Sequence, residues 1–410
     1  MSGRIGWRPA AMGMVGFGLN MLLGLVYSWS IFVGPLEADF GWARTDTSAV
    51  FSVSMVALCT GQLVSGALVA RISSRTVMAL AALLAAIGFL ATAAAHDLAW
   101  ICMSYGVMCG VAVGLGANCV LATVLPWFPD RRGTASGMLL AGVGLGTLLL
   151  GPAVAAVLTA WGWRCAFVVL AVVFGALLAA GALVLRPPRE GEVASATMAP
   201  SPVPGAAATA GATPRQMVST GPFWMFFAWI VLVSSGGLAL VSNAVPAALD
   251  VLGAQDAAAF MIASTAMGGI GAFNAAGRMG TGWLWDRIGR RRSMAVVSCV
   301  YGFAMLACSA AVEAAFFPLV VIGFALLGLA YGGSVSVASA FIGTRFGMAH
   351  YAMNYALTNA NLMVASVVGP AIAGASQVLA GTYLPAYLVI FVFACVALVL
   401  ALVLPSQKAA

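Results

Sequence analysis

Apolar runs of about twenty residues recur along the whole 410-residue chain with almost no charge inside them. Stretches such as Val77 to Ala95 are apolar on every face, so nothing built from them could turn a polar side to water. Charged residues make up 7% of the chain and hydrophobic residues 63%, against roughly 25% charged in an average soluble domain. In hydrocarbon each unmet backbone group costs several kcal/mol, which restricts spans to helices or a closed barrel. A barrel needs alternating apolar and polar residues, and these are absent. The chain therefore reads as an all-α membrane protein embedded in a lipid bilayer. Twelve spans are expected at roughly 9-34, 47-70, 76-95, 99-125, 134-157, 164-185, 222-248, 257-284, 293-312, 317-343, 352-376 and 385-404.

The net charge of +7 could suggest a nucleic-acid partner, but phosphate binding needs a clustered basic face. Sorting the 18 basic residues by span shows something else. Fifteen of them (Arg4, Arg8, Arg71, Arg75, Arg131, Arg132, Arg186, Arg189, Arg215, Arg287, Arg290, Arg291, Arg292, Arg345 and Lys408) fall on one side of the membrane. Arg44 and Arg164 fall on the other, and Arg278 lies within a span. The positive-inside rule then places both termini in the cytoplasm and predicts no nucleic-acid role. The basic start of the first span resembles a signal peptide, but its apolar run is too long for one, so it is expected to be retained.

Eight cysteines, among them Cys59, Cys119 and Cys395, sit in predicted spans without metal-ligand spacing and read as small apolar filler. His96 and His350 lie at predicted span ends. No HExxH and no Ser/His pair at shared depth is present, so neither an enzyme nor a metal or cofactor is expected.

Between Arg186 and Gly221 the hydrophobic pattern gives way to Pro, Ala, Gly and Thr, the composition of a linker that cannot bury a core. The expected division is residues 1-185 as one six-helix bundle, 186-221 as a cytoplasmic linker and 222-410 as a second bundle. The halves echo one another, as in carriers built from repeats. Gly66-Ala-Leu-Val-Ala-Arg71-Ile-Ser-Ser-Arg75 aligns with Gly282-Trp-Leu-Trp-Asp286-Arg287-Ile-Gly289-Arg290-Arg291, and Gly151-Pro152 in span five recurs as Gly369-Pro370 in span eleven.

The pattern GxLxDRxGRR resembles the signature of the major facilitator superfamily, nearly complete in the second copy and with Ala70 in place of the acid in the first. The resemblance implies two pseudo-symmetric six-helix bundles, with Asp286, Arg287, Arg290, Arg291, Arg71 and Arg75 in gating roles. Paired halves with gate motifs also speak against a channel. Gly34-Pro-Leu-Glu-Ala-Asp-Phe-Gly-Trp42 and Pro126-Trp-Phe-Pro-Asp-Arg131-Arg132-Gly-Thr-Ala-Ser-Gly137 are similar to monocarboxylate transporters and the related oxalate/formate antiporters. That likeness implies a small carboxylate anion as cargo, alternating access, a protein able to work as a monomer, and location in a bacterial inner membrane.

Arg278 is the one charged side chain well inside a span, where translocon scales charge about 2.5 to 3.5 kcal/mol, so it is expected to face a wet cavity and bind a carboxylate through its two-pronged fork. Asn274 shares its face by i,i+4 spacing and can orient the guanidinium or donate to a substrate hydroxyl. Further candidates for the substrate site are Tyr331, Asn118, Tyr355 and Asn359, with Tyr27 and Leu145 as an apolar wall. Asn118 follows Gly106, Gly110 and Gly114 at four-residue spacing, which reads first as a close-packing stripe. The oxalate exchangers pair an arginine of span eight with a lysine of span eleven; span eleven here holds no lysine. One guanidinium balances one carboxylate, so a monocarboxylate such as lactate or pyruvate is expected over oxalate. A co-transported proton is the expected coupling, with Asp250, Asp256 and Arg278 as the groups that share it; exchange of the oxalate/formate type is the alternative.

Overall fold

The computed structural model describes residues 7–42, 44–189, 192, 211–253 and 257–405. Arg4, Lys408, Asp256 and most of the linker lie outside the described residues. Among the described residues the chain is helical with no strand, as backbone saturation in hydrocarbon requires.

Ten apolar helical stretches are long enough to cross a membrane, and two of them, Arg132–Val184 and Gly269–Ala314, are 53 and 46 residues long. Each long stretch is two helices joined at a single glycine, Gly162 (φ 80°, ψ 169°) and Gly289 (φ 76°, ψ 177°). Only a residue without a Cβ takes that conformation cheaply. With both divided, the described residues contain twelve spans, the number expected. Spans five and six are 132–161 and 163–184; spans eight and nine are 257–288 and 290–314. Span seven is Gly221–Leu252, span ten Phe317–Arg345, and span twelve Leu384–Val403.

Three spans depart from regular α-helix at mid-length. Span one narrows to a 3₁₀ segment at Gly24–Trp29, span four widens into π-helical turns over Cys102–Cys109, and span eleven breaks between Tyr351–Asn359 and Asn361–Ala380. Such local changes of pitch release or re-aim backbone carbonyls inside a span. Tyr105 uses one, donating its hydroxyl to the Val26 carbonyl at 2.8 Å.

The helices group into two compact units. One comprises Met1–Asp130, Gly142–Thr213 and Phe346–Leu357; the other comprises Arg131–Ala141, Pro214–Arg345 and Thr358–Ala410. In the first unit Gly106, Gly110 and Gly114 let span four approach span two: a Cβ at Gly110 would stand 2.7 Å from the Ser54 carbonyl oxygen, and one at Gly114 would overlap that of Leu58. The glycine stripe is thus a packing surface. Phe32 stacks on Phe167 with ring centroids 4.3 Å apart and Phe89 meets Phe174 edge-on at 4.9 Å. In the second unit Phe226 stacks on Phe341 at 4.0 Å, and the buried Trp229 donates to the Ser298 hydroxyl at 3.0 Å. All eight cysteines are thiols outside any disulfide.

Gly289→Ala should cost on the order of 1 to 3 kcal/mol, because alanine must adopt a backbone conformation that only glycine adopts cheaply. Gly280→Ala, within span eight and with open space around its Cβ, should be neutral or slightly stabilising. Thermal unfolding in detergent checks the pair: equal melting temperatures would show that the corner carries no strain.

Candidate functional site

Arg278 sits in span eight of the second unit and is 9% exposed. A cation at that depth needs either an acid or a set of neutral acceptors. It has the second. Nε donates to the Asn274 side-chain oxygen at 2.8 Å, the bond that i,i+4 spacing permits. Nη1 donates to the Leu140 backbone carbonyl at 2.8 Å, also within this unit. Nη2 has no hydrogen-bond partner among the described residues, and no carboxylate of a described residue pairs with the guanidinium. A positive charge with a vacant donor edge and no acid paired to it among the described residues has the chemistry to bind an anion.

The backbone around it is held closely. Ser336 of span ten donates to the Arg278 carbonyl at 2.8 Å. Gly332 faces the Asn274 carbonyl so closely that a Cβ there would overlap it. Sequence reasoning missed Ser336 and Leu140. Ser336 is one of three serines in span ten with nothing in the sequence to single it out, and a backbone carbonyl has no sequence signature.

The remaining candidates divide between the units. Tyr331, half-buried in the second unit, lays its ring over Gly237, where a Cβ would come within 2.6 Å of it. Asn359 is in the second unit, 6% exposed, just before the break in span eleven. The neighbouring Asn361 donates to the Thr358 carbonyl at 2.8 Å across that break. Asn118 and Tyr355 belong to the first unit. Asn118 is fully buried and gives its amide to two backbone carbonyls, Gln62 at 2.8 Å and Ala352 at 2.9 Å. Its Oδ1 has no partner among the described residues. Tyr355 is buried and stacks on Tyr351 at 5.6 Å. Leu145 is half-buried in the first unit, and the Tyr27 side chain lies outside what is described. Asp250 is exposed at the end of span seven.

The signature between spans eight and nine also takes a definite shape. Asp286 Oδ1 accepts from the Gly133 N–H at 2.9 Å, and Oδ2 accepts from the Thr134 N–H at 2.7 Å and its hydroxyl at 2.6 Å. These are the first residues of span five, so the carboxylate caps a helix start, where the orphan N–H groups and helix dipole favour a negative charge. Arg290 donates to the Pro405 and Leu404 carbonyls at 2.8 and 2.9 Å, and Arg345 donates to Pro405 at 3.2 Å, together capping the end of span twelve. Arg287 lies over the Trp283 ring at 4.6 Å. Arg291, Arg71 and Arg75 are exposed and carry no ion pair among the described residues. The first copy of the signature has Ala70 in the acid's place, so no carboxylate there can cap a helix start. Gly66 nevertheless packs on span eleven, its would-be Cβ 2.6 Å from the Met353 Cα.

Twelve apolar helices among the described residues, with an internal repeat in the sequence, a buried cation and arginine-rich turns, have the build of a polytopic membrane carrier. It belongs to the Major Facilitator Superfamily, whose profile matches residues 10–296. It is 27% identical over 353 residues to the oxalate:formate antiporter of Oxalobacter formigenes, spanning 85% of this chain and 80% of that one. It is 29% identical over 302 residues to human monocarboxylate transporter 11, covering 73% of this chain and 61% of that protein. Among solved structures it is similar in fold to the fucose transporter FucP (TM-score 0.70, 13% identity, 98% of this chain and 100% of that one). The proton:xylose symporter XylE is likewise similar (TM-score 0.68, 14% identity, 99% and 98%).

Asn274→Asp would put a carboxylate against Nε and supply the counter-charge internally. Anion binding should therefore weaken sharply at pH 7, while Asn274→Gln, which adds no charge, should weaken it far less. Ligand-dependent thermal stabilisation with lactate at pH 7 checks this; unchanged binding in Asn274→Asp would contradict the vacant-cation reading.

Proposed function

We propose that the protein is a secondary active transporter of small monocarboxylates of the lactate or pyruvate type, driven by proton symport through alternating access of two six-helix bundles (1-185 and 222-410) joined by a cytoplasmic linker. The observation that carries this reading is the single guanidinium of Arg278, buried in a span, with neutral partners and a vacant edge. The likeness to an oxalate:formate antiporter and to a monocarboxylate transporter supports the carboxylate class.

Charge counting separates the two kinds of cargo. One carboxylate neutralises Arg278, whereas the second of a dianion would stand unpaired in a low-dielectric site, at a cost of several kcal/mol. Span eleven contains no cation to take it. Asn274 orients the guanidinium; Tyr331 and Asn359 are further cargo-binding candidates in the second unit, and Asn118, Tyr355, Tyr27 and Leu145 in the first. Asp286 and the arginines of the two signatures act on the gate.

A monoanion entering a negative-inside cell works against about 2.3 kcal/mol per 100 mV, which a co-transported proton cancels. Asp250 and Asp256 are the candidate entry acids, and the proton is then shared with the cargo carboxylate and Arg278. The membrane is the inner membrane of a bacterium, with both termini cytoplasmic, and one chain suffices for transport. Exchange of the oxalate:formate kind is the second reading, favoured by the antiporter relative.

Proteoliposomes containing the full chain should take up labelled lactate and pyruvate faster than oxalate, with an inward proton gradient raising the rate. Arg278→Ala should reduce uptake to background while the protein still elutes as a folded species. Oxalate preferred over lactate overturns the monocarboxylate reading, and uptake indifferent to the gradient but dependent on internal anion replaces symport by exchange.

A further inference from the structure

Span eight and residues 131–141 meet at four successive levels, all within the second unit. At the arginine-rich end Asp286 accepts from Gly133 and Thr134, as described. One turn deeper, Gly133 and Gly282 approach so closely that a Cβ on either would overlap the other's carbonyl oxygen. Next, Gly137 lies directly against the Arg278 carbonyl. Deepest, Arg278 Nη1 reaches the Leu140 carbonyl at 2.8 Å. Eight residues separate Arg278 from Asp286, about 12 Å of helix. One helix thus holds the start of span five with a carboxylate at one end and a guanidinium at the other.

We propose that Arg278 is the inner catch of this latch as well as the counter-ion of the cargo, so that a carboxylate binding to it loosens residues 131–141 from span eight. The proposal rests on the reading that Arg278 binds the cargo. A guanidinium has five N–H donors, of which Asn274 and Leu140 take one each. Nη1 keeps one N–H beside the one given to Leu140, so a carboxylate seated on the Nη1–Nη2 fork shares Nη1 with that carbonyl and draws the guanidinium toward itself. The two bonds of a carboxylate are charge-assisted and roughly twice as strong as one to a neutral carbonyl. The Leu140 carbonyl, inside a helix, spends one lone pair on its own intrahelical bond and is not orphaned when the arginine leaves. Competition therefore runs in favour of the anion. An uncharged analogue lacks the charge-assisted fork and leaves the catch closed. Asp286 holds the outer end in either case, so the cargo weakens the latch without abolishing it.

Ser136 reports on the latch. It is fully buried on the same segment, and its hydroxyl donates to the Gly133 carbonyl at 3.0 Å. In full-length Ser136→Cys protein, maleimide labelling at the peptide containing position 136, read by mass spectrometry, should accelerate severalfold with saturating lactate and stay at its basal rate with lactamide. Adding Arg278→Lys should abolish the lactate effect. Asp286→Asn should raise basal labelling while keeping the lactate effect. In the unmodified chain, hydrogen exchange of the 131–141 amides should follow the same pattern, which covers the case of a cysteine variant that folds poorly. Lactate binding is measured in parallel by thermal stabilisation. Arg278-dependent binding with labelling and exchange unchanged or slowed overturns the latch and leaves the transport reading standing. No lactate binding to the wild-type protein overturns both.

Discussion

A cation buried in a hydrocarbon-spanning helix, with no acid of the described residues paired to it, is the constraint around which much of the second unit is arranged. Removing Arg278 from water has a cost that its two neutral partners offset only in part, because a carbonyl and an amide oxygen supply dipoles and no charge. The packing around it serves to bring those dipoles within reach. Gly137 brings the start of span five against the arginine's own backbone, which is what lets the Leu140 carbonyl reach Nη1. Gly332 does the same for span ten against Asn274. Small residues let helices approach within a membrane, where no hydrophobic force drives them together.

The two copies of the repeated signature show how one motif can be used differently. In the second copy Asp286 is an anion at a helix start, satisfying two N–H groups and a hydroxyl. Its arginines serve elsewhere: Arg290 saturates carbonyls at the end of span twelve and Arg287 covers an indole. In the first copy the acid is Ala70, and the polar ties at the start of span eleven come from side-chain amides. Asn118 donates to the Ala352 carbonyl, and Asn354 donates to Ala212 at 2.9 Å. A charge-assisted bond is roughly twice as strong as a neutral one, so the start of span five is tied more firmly than that of span eleven.

Much of the fold was legible in the sequence because the bilayer leaves a chain few choices. Length and continuity of the apolar runs set the number and approximate limits of the spans, and the offset between Gly66 and Gly282 revealed the repeat. Gly162 and Gly289 fall in the short gaps between predicted spans, where a chain that must reverse direction needs a residue without a Cβ. The changes of helical pitch at Gly24–Trp29 and Cys102–Cys109 were not legible, since both segments are as apolar as the helices around them and are shaped by their packing.

The sequence alone determined that this protein crosses a membrane many times, belongs to a repeat-built carrier family, and carries one guanidinium within a span beside Asn274 one turn away, because those properties follow from local composition and helical spacing. Tertiary structure decided what that guanidinium touches: the Leu140 carbonyl lies 138 residues away in the chain, and backbone acceptors are the same in every amino acid. It also decided that Asn118 bonds to main-chain oxygens of Gln62 and Ala352, the latter 234 residues away. A side chain's type can be read from sequence, but its partner depends on which distant backbone the packing of glycines allows to come near.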